Sequence, residues 1–399
     1  MVIIMRRVGT VVRGIRTPII KDGDNLKEIV VDSLLKAQES EGFEFHDRDI
    51  VAITEAVVGI SSGNYVTVDQ ISDDIKRKFG VKHIGVLFPI LSRNRFAVLL
   101  SAMARAMDKI TLQISYPSDE VGNDILDKER MENLGINPYD YVLTEEEYRE
   151  KFGDWKHIFT GVNMVDVYKE LIKKEGCEAE IILANNPREI LKHVDDVLVC
   201  DIHSRFDTKK ALKAVAKGKI IGMDEICTEP VNGSGYNAEY GLLGSNRSTE
   251  ERVKLFPRKD DTLVYGIQEE LKKKTGKTIE VMIYGDGAFR DPVGKIWELA
   301  DPVVSPSYTK GLEGSPNELK LKYLSDNKFS DLRGEELNEA MREAIREKDK
   351  DLKGKMETQG TTPRRYTDLI GSLCDLTSGS GDKGTPVVFI QGYFDNYAN

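Results

Sequence analysis

The residues best suited to chemistry are concentrated between Ile283 and Trp297, where Gly285-Asp286-Gly287 is followed by Arg290, Asp291 and Lys295. The run Glu280 to Tyr284 reads as a strand that delivers Asp286 at its tip. A carboxylate held between two glycines at a strand end suits Mg²⁺ or Mn²⁺, which prefer carboxylate oxygen. Arg290 could hold phosphate oxygens through two parallel N–H donors. Asp286 is therefore a candidate metal ligand, and Arg290 and Asp291 are candidate catalytic groups. A plain turn explains the same composition, because Asp and Gly are what turns demand. The residues leave both readings open.

A second candidate is the loop Thr377-Ser378-Gly379-Ser380-Gly381-Asp382-Lys383-Gly384, which joins an amphipathic helix pattern to the apolar strand Val387-Val388-Phe389-Ile390. Glycine has no side chain to keep an anion away from backbone N–H groups. The loop lacks the GxxxxGK[ST] spacing of a P-loop. Lys383 could still contact phosphate, and Asp382 could bind metal; a solvated loop is the alternative. A third group lies at the carboxyl ends of strands expected to be parallel, where open sheets bind ligands. There Arg93 and Arg95 follow Ser92, read as a helix cap, and Arg205 follows His203-Ser204. The three arginines are candidate substrate-binding residues for a carboxylate or phosphate, or else simply reach into water. His46, His83, His157 and His193 show no HxH or HExxH spacing, and no GxSxG elbow is present. The pattern favours phosphate and carboxylate handling over covalent catalysis.

Three regions must position these groups. Residues 1–78 read as strand, helix, strand, with a turn at Asp22-Gly23 and helical spacing from Leu26. Residues 79–230 alternate short apolar strands with helices, the signature of βαβ units and a parallel sheet. Residues 231–399 carry Gly-rich turns and a charged helix near Glu335–Lys348. The fold class expected is α/β, with a middle domain set into a flanking one.

With 399 residues, 40% apolar and 31% charged, the chain reads as a soluble protein of two or three domains. No apolar run approaches the ~18 residues that span a bilayer, and the first residues lack a signal-peptide pattern. Cys177, Cys200, Cys227 and Cys374 lie far apart, which suits reduced, buried thiols in the cytoplasm. A net charge of −10 argues against nucleic acid as a partner.

The segment Thr17-Pro18-Ile19-Ile20, the run Asp49 to Val58, the turn at Gly285-Asp286 and the C-terminal helix–loop–strand resemble, in that order, the coenzyme F-420 γ-glutamyl ligase family. The resemblance covers about residues 12–70 and 231–399 and implies a ligase-like α+β framework, usually a homodimer. It implies GTP or ATP with Mg²⁺ or Mn²⁺, joining L-glutamate to a small carboxylate acceptor through an acyl phosphate. Carried over to this chain, Thr17, Pro18, Ile19, Ile20, Glu55, Ala56, Asn246 and the loop Thr377 to Gly384 would bind nucleotide. Asp286 and Asp382 would hold metal. The chain departs from the family at three places. Ile60 stands where the family has lysine, Leu243 stands in the stretch before Asn246 where it has a metal-binding Asp, and Ser378-Gly379-Ser380 replaces a Glu. The alternative these departures raise is a non-catalytic small-anion binder on a ligase-like scaffold.

Overall fold

The computed structural model describes residues 8–158, 160–285, 304–359, 361, 364–377 and 381–398, and the backbone of 289–290 and 297–298. In chain order the strands are β1 (Val11–Ile15), β2 (Ile50–Thr54), β3 (Tyr65–Thr67), β4 (His83–Leu87), β5 (Lys109–Ile114), β6 (Leu143–Thr144), β7 (Glu178–Leu183), β8 (Val197–Val199), β9 (Ile220–Gly222), β10 (Asn246–Arg247), β11 (Arg252–Lys254), β12 (Glu280–Tyr284), β13 (Phe289–Arg290), β14 (Trp297–Glu298) and β15 (Val387–Gln391). The fold is α/β. The chain divides into two compact units: unit 1 holds residues 1–58, 259–287 and 304–399, and unit 2 holds 59–258 and 288–303.

In unit 1 a four-stranded sheet runs β1-β15-β2-β12. β15 is antiparallel to both β1 and β2, while β2 and β12 are parallel. Every residue of β2, β12 and β15 is buried. Continuous apolar runs of this kind belong to strands covered on both faces. The helix Tyr366–Thr377 packs against β1, β2 and β12, and the helices Leu26–Glu41 and Asp261–Thr275 pack on each other. Leu26–Glu41 starts at Asn25, whose side chain accepts the Glu28 amide N–H, and stops at Gly42, with φ at 70°.

The outer edge of β12 is closed by residues 304–309. Thr309 N donates to Val281 O at 2.9 Å, Ile283 N to Ser307 O at 2.9 Å, and Gly285 N to Val304 O at 2.7 Å. This cover is pinned by Glu280, only 7% exposed, whose carboxylate accepts the Thr309 hydroxyl, the Gly311 amide and the Gln268 amide.

Unit 2 is built on a six-stranded sheet, order β6-β7-β5-β4-β8-β9, parallel except for β6. From β4 the chain builds outward through β5 and β7, then returns to the other side of β4 for β8 and β9. The alternation expected between 79 and 230 is this sheet. Pro187–Lys192 is a short 3-10 helix capped by the Asn186 side chain, which accepts from Arg188 N. Unit 2 also takes in residues on either side of that alternation, since β3 pairs with β11 and β11 with β10.

The helix Val68–Phe79 carries a buried charge that supports this packing. Asp74 is fully buried, with Arg77 at 2.6 Å, Lys78 at 2.9 Å and the Cys227 amide at 2.7 Å. Burial alone would raise its pKa, but the Cys227 amide, Arg77 and Lys78 together bring it below the usual carboxylate range. Asp74→Ala leaves the buried Cys227 amide without its acceptor, while Arg77 keeps Glu229 and Lys78 keeps the Glu225 carbonyl, and is expected to cost about 1–3 kcal/mol at pH 7. A group depressed in the folded state stabilises fully above its unfolded pKa of about 4 and loses that contribution as pH falls through the folded value. Urea unfolding of parent and variant should therefore show a gap that narrows below pH 4; an equal gap at pH 7 and pH 3 contradicts this account.

All four cysteines are free and buried. Among the described residues, no helix is long and apolar enough to cross a membrane.

Candidate functional site

One rim of the unit 1 sheet gathers chain segments far apart in sequence. Ile15, Val387, Ile53 and Ile283 form one row across the four strands. Just beyond that row lie the ends of β1, β2 and β12 and the start of β15. The Thr17 amide donates to Gly384 O at 3.3 Å and the Thr54 amide to Pro386 O at 2.9 Å. The N-terminal segment and the C-terminal loop, separated by some 360 residues, are therefore hydrogen-bonded neighbours.

Beside this rim opens a cleft of about 1250 Å³. Its walls are the consecutive residues Arg13 to Pro18, one face of the helix Leu26–Glu41, Phe43, and Thr377, Lys383 and Thr385. Four of the residues proposed to bind nucleotide, Thr17, Pro18, Thr377 and Lys383, share these walls. Ile19 is 83% exposed and Ile20 is buried. Glu55 is buried and, with Ala56, opens the short helix Glu55–Ser61 after β2. Gly381 and Asp382 are exposed, and Gly384 turns with φ at 64°, a conformation in which glycine is at ease. Arg13 is already engaged: it donates to Gln391 Oε1 at 2.7 Å and lies 4.8 Å from the Phe43 ring centre.

The remaining candidates lie in unit 2 or outside the described residues. The helix expected after Ser92 begins at Phe96, with Arg95 in the cap position, and the Ser92 hydroxyl accepts the Arg95 amide at 3.1 Å. Arg93 is exposed and Arg95 half-buried. Arg205 donates to Ile202 O, lies 3.7 Å from Asp224 and sits 4.5 Å from the Phe206 ring centre. The amides of Ile202, His203 and Ser204, ahead of the helix Arg205–Lys213, donate to the protein's own Glu120 carboxylate. Asn246 belongs to β10, opposite Lys254. Asp286, Asp291, Ser378, Gly379 and Ser380 lie outside the described residues, as does the side chain of Arg290. Among the described residues no group of three or more His, Cys, Asp or Glu side chains is placed to hold a metal ion.

Against this geometry, the sequence profile of the F420-0:Gamma-glutamyl ligase family matches residues 14–392. The chain belongs to that family. The match to F420-0:γ-glutamyl ligases begins in β1 and ends just after β15, so it takes in the whole rim. No curated protein matches the chain. A γ-glutamyl ligase family is a family of enzymes, and the match runs on through residues 71–230, beyond the two stretches that carried the resemblance.

Two cations in the cleft wall of this ligase-family chain escaped the sequence reading, Arg16 and Lys36. Arg16 stands one residue before the quoted Thr17 segment. Lys36 sits on an exposed helix face, where charge ordinarily means solvation. Only the packing of the helix Leu26–Glu41 against β1 reveals their shared cleft.

Proposed function

We propose that the protein is a nucleotide-dependent amide ligase that joins L-glutamate, or another amino acid, to a small carboxylate, with GTP or ATP bound in the unit 1 cleft. The observation that carries this reading is the junction of Thr17 with Gly384 beside a large cleft, within the span matched by the ligase family. At about 1250 Å³ the cleft exceeds the ~300–1,000 Å³ of a typical small-molecule pocket, leaving room for a nucleotide and a second reactant.

In this reading a carboxylate oxygen of the acceptor bonds to the γ-phosphorus, and the bond to the bridging oxygen breaks to release the nucleoside diphosphate. The amine of the amino acid then attacks the acyl carbon, inorganic phosphate leaves, and the amine's proton passes to solvent. Lys383 and the amides of the loop ahead of β15 balance phosphate charge, and the Thr17 segment borders the nucleotide. Mg²⁺ or Mn²⁺ would neutralise phosphate oxygens when bound. Among the described residues no group of three or more His, Cys, Asp or Glu side chains is placed to hold it.

Incubation with Mg²⁺, GTP or ATP, glutamate and a panel of carboxylic acids should release phosphate only when an acceptor acid is present. Failure to bind either nucleotide at millimolar concentration by calorimetry would defeat the proposal. Binding without turnover would point instead to a non-catalytic anion-binding protein.

A further inference from the structure

Resting on the nucleotide reading of the unit 1 cleft, we propose that Arg16, Lys36 and Lys383 form a three-cation clamp for the polyphosphate, with Lys36 as its helix-borne member. The three come from separate elements: the segment after β1, the middle of the helix Leu26–Glu41, and the loop before β15. Only the fold brings them to one cleft.

Their lack of partners points to a ligand. Among the described residues, none of the three makes an ion pair, although Glu28, Asp32 and Glu41 share the walls. Lys36 follows Asp32 by one helical turn, the spacing at which such pairs normally form, yet the two stay apart. The fourth cation of the wall, Arg13, differs because Gln391 and Phe43 already hold it. In a chain of net charge −10, the cleft wall carries four cations against three acids. The start of the helix Leu26–Glu41, bordered in the wall by Asn25, adds its partial positive charge. A cleft focuses such a field more than an open surface does. A triphosphate, with charge spread over several oxygens, is the ligand that three cations on different walls can hold together, each by charge-assisted hydrogen bonds. The turn Gly59 to Gly63 carries no cation, so the clamp supplies charge that this turn does not.

The test is calorimetric titration of GTP and of ATP, each with MgCl₂, into the full-length protein. Lys36→Ala and Arg16→Ala should each weaken binding at least tenfold, and Lys36→Arg should stay within threefold of the parent. Lys27→Ala, on the same helix but outside the cleft wall, should bind as the parent does. A Lys36→Ala protein that binds within twofold of a nucleotide-binding parent overturns the clamp and leaves the nucleotide reading standing. A parent that binds neither nucleotide overturns both. Circular dichroism of each variant separates lost binding from lost folding.

Discussion

Reversing the charge at Lys383 is expected to reduce kcat/KM for nucleotide by at least a hundredfold. Lys383 belongs to the loop whose Gly384 carbonyl accepts the Thr17 amide, so its backbone is tied to the opposite side of the rim. A glutamate there replaces attraction to phosphate with repulsion. At a separation of roughly 6 Å and an effective dielectric constant near 20, one unit charge against another amounts to about 3 kcal/mol. Reversal changes the interaction by twice that before solvent screening, which removes much of it because the side chain is exposed. What survives still covers a factor of a hundred, about 2.7 kcal/mol. The loss should shrink as KCl rises from 50 to 500 mM. Initial rates of phosphate release for the parent and Lys383→Glu at both salt concentrations provide the check. A variant within threefold of the parent at low salt would place the phosphates elsewhere.

Glu280→Ala is expected to destabilise unit 1 substantially. The side chain accepts from Thr309, Gly311 and Gln268 at a position that is 7% exposed. Removing it leaves buried donors unanswered, at about 1–3 kcal/mol for each that water cannot reach. Some relaxation is available, because Gln268 also donates to Ile279 O at 2.8 Å. A total near 3 kcal/mol is expected, a substantial share of the 5–15 kcal/mol typical of a whole protein. Thermal melting and urea unfolding should both register it. Glu280→Gln, which keeps the acceptor oxygen, should recover about half. If Glu280→Ala melts within 2 °C of the parent, the segment covering β12 is held by other contacts.

The sequence and the structure agree best where physics is local. The apolar runs of β4, β8 and β15 were readable because strands buried on both faces need near-continuous hydrophobic sequence. The helix Leu26–Glu41 announced itself by spacing, and its Gly42 stop follows from the left-handed turn. β10 and β11 were not readable: two or three residues carry no periodicity, and their pairing depends on β3, almost 190 residues earlier. The same limit governed the site. Thr17 and the loop before β15 could be nominated separately from their composition and from the family likeness. That they touch depends on the pairing of β1 with β15, a non-local event no short window can display. Lys36 lay beyond reach for a different reason: on an exposed helix face a lysine looks the same whether it meets water or phosphate.

The central position of β15 also constrains how the molecule is made. Unit 2's parallel sheet is complete once residue 222 has been synthesised, and that sheet can form while the remainder of the chain is still being added. Unit 1 has no such freedom, because β1 has no sheet partner other than β15 among the described residues. At ~5–20 residues per second the ribosome needs roughly 8–34 s to pass from residue 222 to residue 391. During that interval β1 has no sheet partner, and β2 can pair only with β12, leaving the edge that β15 will cover open. A nascent chain stalled ahead of β15 would therefore carry a folded insert within a host that cannot close, and chaperones that shield strand edges would find their substrate there.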